Sequence, residues 1–298
     1  MISSLSEFND FQQALECKEH TLPYNFASIL STESWGAKRL SKMKFKMLKS
    51  FDSLLSGMLE ENEQVFYISY GVQSSVFEQM FMGWMVYYLN RRAFVFTNKR
   101  ILVIQVKGKF VPWDLLSQIP YENIKAVKRL FANIRIVFTN GKSAVFSGMP
   151  GADRKNVPMI TEKIREKKGI DTSATPGAAE KLCPYCFAVT DGFPAACPQC
   201  NGSFKSAKKA GLLSLLFPGI GDVYLGHRIF GTMEIIGTAI FWIVLLMPVD
   251  EDGNTVALST RLVLAVFFFF IVHGIDALVT FRTGRKGIYP AKPGTADK

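Results

Sequence analysis

VFTNKRILVI, Val95–Ile104, reads as a strand, a tight turn at Asn98-Lys99 and a second strand. Outward from it the same texture continues from Gln64 to about Met149. QVFYISY (64–70), AFVFT (93–97), RILVIQV (100–106), IRIVFT (134–139) and SAVFSGM (143–149) are all strand-like, with further turns at Lys107-Gly108-Lys109 and Asn140-Gly141. Asn-Gly between apolar alternations is a strong hairpin signal, so the region predicts a meander of short antiparallel strands. Asp153–Lys168 follows, with Val157, Ile160 and Ile164 at helical spacing on a charged background, which predicts one amphipathic helix closing the domain.

Several short strands and a single terminal helix resemble the bacterial pleckstrin-homology fold over residues 62–168. VFTNKRILVI and IPYENIKAVK (Ile119–Lys128) carry the resemblance. It implies a β-barrel with a C-terminal helix, a scaffold that binds lipid, peptide or protein, and it names no ligand. FEQMFMGWMVYYLN (Phe77–Asn90) suits an exposed loop poorly. It is read either as an element packed on the barrel or as a surface for membrane or partner, with Arg91 and Arg92 at its edge. Ahead of the barrel, a helical stripe of Leu40, Met43, Met47, Phe51, Leu54 and Met58 is offset from Lys38, Lys42, Lys46 and Lys49. Those lysines are candidate contacts for anionic lipid, or else the solvated face of a helix packed on its own barrel.

The chain has 298 residues and a net charge of +10, which suits nucleic acid or an anionic membrane, so position must decide between them. MISSLSEFND lacks a secretory signal, and four of the five cysteines fall in CxxC pairs with Cys17 left over, so a cytosolic N-terminal region is expected. Cys183-Pro-Tyr-Cys186 and Cys197-Pro-Gln-Cys200 stand ten residues apart, a spacing that suits four thiolates closing on one structural Zn²⁺. The segment resembles a zinc ribbon. A thioredoxin-like redox pair and rubredoxin-like iron are the competing readings. For nucleic acid the segment lacks a dense basic run, KSAKK after it being the cytosolic flank of a membrane segment.

Two apolar runs, Ile229–Met247 and Leu262–Phe281, each reach roughly the 30 Å of a bilayer core. Buried helices of a soluble domain would share that composition, but the unbroken Leu262–Val272 favours spans. The connector PVDEDGNTVALST has acids and no Lys or Arg, whereas Lys205, Lys208 and Lys209 precede the runs and Arg282, Arg285 and Lys286 follow them. Both ends of the hairpin are therefore expected in the cytosol. LFPGIGDVYLGHRIFG (Leu216–Gly231) fails as a dinucleotide loop, because Tyr224 stands at the third glycine position, and it lacks the Gly-Lys-Ser/Thr of a P-loop. With the helix that follows it resembles the two-transmembrane-helix (TM-two) family over Ala210–Phe281. The matching residues are Gly219, Gly221, Tyr224-Leu225-Gly226, Gly231 and Asp276, while His227-Arg228-Ile229 departs from the Asp-Arg-Phe of some relatives. Gly211–Phe217 is too short to span and is expected to be re-entrant or interfacial. Glu234 and Asp276 fall at similar depth, His273 is one turn from Asp276, and Asp222, His227 and Arg228 sit at the cytosolic mouth, which predicts a polar cluster.

The sequence thus predicts a multidomain α+β membrane protein of the bacterial inner (cytoplasmic) membrane. Its parts are a helical region (1–61), the pleckstrin-like domain (62–168), a linker (169–180), a ribbon (181–204), a two-helix membrane domain (210–282) and a basic tail (283–298). No nucleophile–base pair or open metal site marks an enzyme, and no small-molecule substrate is evident. An adaptor or sensor binding a protein or the membrane surface is the leading reading. A homo-oligomeric permeation element lined by Glu234, His273 and Asp276, and a membrane-tethered nucleic-acid regulator, are the alternatives.

Overall fold

The computed structural model describes residues 24, 25, 29, 37–74, 80, 83, 85–170, 176–248 and 255–292. Cys17, most of Phe77–Trp84, linker residues 171–175, the acids of the 249–254 connector and residues 293–298 lie outside them. Two compact units separate, the first ending at Val189 and the second running from Thr190 to Lys292.

The first unit opens with helix α1 (Ala37–Met58). Strands β1 (Val65–Gln73), β2 (Arg91–Thr97), β3 (Arg100–Val106), β4 (Pro112–Pro120), β5 (Ile124–Arg129), β6 (Ile134–Phe138) and β7 (Ser143–Ser147) follow, with a one-turn helix α2 (Met85–Leu89) before β2. Helix α3 (Gly151–Lys168) comes next, then β8 (Glu180–Leu182) and β9 (Val189–Thr190). The strands form one sheet in the order β5-β6-β7-β1-β2-β3-β4-β8-β9, antiparallel at each neighbouring pair from β5 to β8.

β2 and β3 read as continuous apolar runs because both of their faces are covered. Phe94, Phe96, Ile101 and Val103 join Tyr67, Ile134, Ile136, Phe138 and Val157 of α3 in one core. Ala93, Val95, Leu102 and Ile104 point the other way, into a core built with Met47, Leu48, Phe51 and Leu55 of α1. At ~1.5–3 kcal/mol per fully buried large apolar side chain, that second core is a substantial share of the unit's stability. β6 has only one covered face and alternates accordingly, with Ile134, Ile136 and Phe138 inward and Arg135 exposed.

Met47, Phe51, Leu54 and Met58 of the expected α1 stripe are buried, and Lys42, Lys46 and Lys49 are exposed; the side chain of Lys38 is outside the described residues. β4, PWDLLSQIP, escapes period-two reading. It starts on proline and carries Asp114, Ser117 and Gln118 among its apolar residues. β8 adds to its edge with Leu116 opposite Leu182, so the strand entering the first cysteine pair belongs to the same sheet. In α2, Val86 and Leu89 are buried while Tyr87 and Tyr88 are exposed.

The second unit is helical. α4 (Ala207–Leu216) is capped by Ser206, whose hydroxyl accepts from Lys209 N. A short α5 (Ile220–Leu225) leads into α6 (Arg228–Leu245). The last helix runs from α7 (Leu258–Phe268) through a π-helical turn (Phe269–His273) into α8 (Gly274–Gly284). α6 and the 27-residue Leu258–Gly284 are both long and apolar enough to cross a membrane. Only 17% and 11% of their most apolar windows are buried, with Ile229, Val263 and Phe270 facing outward, unlike the core helices of a soluble domain. The two helices meet through Phe241–Phe268 and Trp242–His273 ring contacts.

Candidate functional site

The four CxxC sulfur atoms lie within 4.8 Å of one another, and all four cysteines are thiols. The two pairs repeat one backbone design. Cys183 N donates to Ala188 O and Phe187 N to Cys183 O; Cys197 N donates to Gly202 O and Asn201 N to Cys197 O. The residue after each second cysteine takes a left-handed conformation, Phe187 at φ 61° and Asn201 at φ 57°. Asparagine tolerates that region, whereas a phenylalanine there costs about 1–2 kcal/mol. The Phe187 ring offsets it by packing on the α1 core and against Gly57, where an added Cβ would sit 3.0 Å from the ring. Tyr185 N also points at Cys183 Sγ, 3.4 Å away, a backbone donor that suits a thiolate. A tetrahedral metal with bonds of about 2.3 Å places its sulfurs about 3.8 Å apart, so this donor set fits one soft cation with no position open.

The candidate polar residues of the second unit assemble around Gly219–Gly231. Gly219 has φ +89°, and a Cβ on either glycine would strike the carbonyl oxygen of the other, so only glycine permits α5 to fold back on α6. Gly237 faces open space. This approach brings the carboxylates of Asp222, Glu234 and Asp276 within 4.8 Å of one another. Asp222 is 2% exposed; its Oδ1 lies 2.9 Å from His227 Nδ1, and its Oδ2 accepts from Thr280 Oγ1 at 2.7 Å. Ser214 Oγ, on α4, lies 3.1 Å from the same Thr280 hydroxyl. Asp276 Oδ2 accepts from Gly219 N, and Glu234 Oε2 has no hydrogen-bond partner. His273 stands elsewhere, with Trp242 Nε1 donating to its Nε2 and its Nδ1 3.0 Å from Leu215 O. Arg228 is exposed. The π-helical turn ending at His273 and the hydroxyls of Ser214 and Thr280 are parts of this arrangement that spacing did not reveal.

The first unit buries a second ionisable cluster, at positions sequence reading did not single out. Lys44 breaks from the exposed lysines of α1 and enters the sheet, its Nζ 3.0 Å from Asp153 Oδ1 and 3.6 Å from the centre of the Tyr67 ring. Asp153, in the first turn of α3, also accepts from Tyr67 OH at 2.5 Å and Ser69 Oγ at 2.6 Å. Burial holds Lys44 below the ordinary lysine range, against the pull of the neighbouring carboxylate. Burial, then the Asp153 charge, pushes Tyr67 upward, so it remains a neutral donor. α1, β1 and α3 are thereby tied at one point.

The Asn98-Lys99 turn has a similar tying role. Asn98 Nδ2 donates to Asn62 O, Lys99 Nζ to Glu60 Oε2, and Arg100 to both Glu63 and Met58 O, fastening the end of α1 to the β2–β3 turn. Residues 59–166 match the family described as Bacterial PH domain. No curated protein matches the chain.

Proposed function

We propose that this is a membrane-anchored binding protein, not an enzyme. In this reading the pleckstrin-like unit and a zinc-closed ribbon (residues 181–204) face the cytosol and dock a protein or the membrane surface. Both chain ends lie on the cytosolic side, and a hairpin of the TM-two kind (residues 210–282) holds the protein in a bacterial inner membrane. The observation that carries it is the union, in one chain, of a pleckstrin-like unit with two long helices whose apolar faces point outward. Zn²⁺ is the cation that best suits four thiolates in a closed tetrahedron, where it is structural. α4, with Leu212 and Leu216 exposed, lies at the cytosolic leaflet in this reading. Affinity capture of the full chain from mild detergent, beside a Cys183→Ser/Cys186→Ser variant, tests the reading. Partners recovered with the wild type and lost with the variant support it. No reproducible partner, together with no affinity of the unit for lipid, counts against it.

The convergence of Asp222, Glu234 and Asp276 favours a second reading, an oligomeric permeation element built on the hairpin. Glu234→Gln and Asp276→Asn separate the two. Intact assembly with lost ion flux supports permeation, and unchanged flux with altered assembly supports an anchor.

A further inference from the structure

The β5–β6 hairpin ends in the four-residue loop Leu130–Asn133, closed by Leu130 N donating to Asn133 O. At its tip Phe131 is 99% exposed, more than any other large apolar side chain among the described residues. The loop is held rather than free to fold back, since Arg154 Nη1 donates to Phe131 O at 2.7 Å from the first turn of α3. A hollow of about 590 Å³ opens beside it, lined by Arg129, Leu130, Phe131, Ala132 and Arg154. From Ile124 to Arg135 the sequence has Lys125, Lys128, Arg129 and Arg135 and no acid.

Register adds an independent observation. Lys128 and Arg135 are directly opposite across β5 and β6, both exposed, and neither has an acidic partner among the described residues. Like charges so placed destabilise a strand pair, so the arrangement is costly unless an outside anion neutralises it. An apolar tip ringed by basic side chains matches a surface with anionic headgroups over hydrocarbon. A chain anchored in a bilayer also holds its basic surfaces at high effective concentration near those headgroups.

We propose that the β5–β6 tip is a membrane-docking site, with Phe131 entering the interface of an anionic bilayer and Arg129, Lys128 and Arg135 pairing with lipid phosphates. This deepens the binding function proposed above and rests on the spanning assignment of the C-terminal helices. Each basic residue near an anionic surface strengthens docking about fivefold, and insertion of Phe131 about tenfold or more.

The test is amide exchange of the full chain in lipid nanodiscs of pure phosphatidylcholine and of phosphatidylcholine with phosphatidylglycerol. The expected result is exchange at Phe131 and Ala132 slowed about tenfold in the anionic discs only. Phe131→Ser and, separately, Arg129→Glu/Arg135→Glu should abolish the slowing; all three positions are exposed, so the fold is retained. Slow exchange across residues 229–245 in both discs shows the spans seated, and equal tip exchange in the two lipids then overturns the proposal, leaving an acidic protein as the occupant. Tip protection that survives both variants also overturns it. Unprotected 229–245 removes the spanning assignment, and the docking proposal with it.

Discussion

Each unit gathers a cluster of ionisable side chains, buried in the first and half-buried at Glu234 and Asp276 in the second, and the two are composed in opposite ways. Lys44 and Asp153 form a balanced pair, and Tyr67 and Ser69 donate to the carboxylate oxygens. Asp222, Glu234 and Asp276 are three acids gathered with one histidine, and Glu234 leaves an oxygen without a partner. A balanced pair fixes elements in place, and removing half of it strands a buried charge. A one-signed cluster has no such internal pairing, and here the Gly219–Gly231 contact is what brings its members together. The thiolates of the CxxC pairs are a third case, in which one sign is expected to be resolved by a metal.

That third case should give the largest effect. Cys197→Ser takes one ligand from a site expected to be worth about 10–16 kcal/mol when complete, and should lose most bound zinc together with the exchange protection of residues 183–204. Elemental analysis should find one zinc per wild-type chain and little in the variant. One zinc per chain retained in the variant would mean that Cys197 is not a required ligand. Next, Asp153→Ala should cost about 3–5 kcal/mol in denaturant unfolding by stranding Lys44, whereas Lys44→Met with Asp153→Leu should recover most of that loss. If the double variant is as unstable as the single one, the pair is not the unit of stabilisation. Phe51→Ala belongs to the same range, at about 3–5 kcal/mol, because it opens the core between α1 and the sheet. Glu234→Gln should differ from Asp153→Ala because it strands no partner charge. It is expected to change detergent-resistant thermal stability by no more than about 1 kcal/mol, and a loss of several kcal/mol would place the acid cluster with the balanced kind. Smallest of all, Lys42, Lys46 and Lys49 to Gln should each change stability by no more than about 0.5 kcal/mol.

Much of the architecture was legible because it rests on local pattern. The β2–β3 turn, the Asn140-Gly141 hairpin, the closing helix and the two apolar helices all announce themselves in composition and period. β4 did not, because proline and polar residues interrupt its alternation, and β8 did not, because three residues cannot establish a period. The cysteines were legible from spacing alone, but the αL phenylalanine that anchors the first knuckle on α1 was not, since backbone handedness leaves no mark at a non-glycine residue. In the second unit the sequence marked Asp222, His227, Arg228, Glu234, His273 and Asp276 as one polar cluster, without saying which of them meet. That Asp222 rather than His273 joins Glu234 and Asp276 depends on the glycine contact folding α5 onto α6, a tertiary fact. Lys44 looked like its neighbours because its distinction is the partner, Asp153, more than a hundred residues away.

In the function proposed above, the C-terminal helices form a spanning hairpin with the remainder of the chain on the cytosolic side. The most direct measurement is labelling of an Asp252→Cys variant of the full chain by a membrane-impermeant maleimide in right-side-out membrane vesicles, beside Ser206→Cys, with each labelled position identified by peptide mass spectrometry so that the five native cysteines are told apart. Cys at 252 should be labelled in sealed vesicles and Cys at 206 only after they are opened. Labelling of both, or of neither, before opening would contradict it.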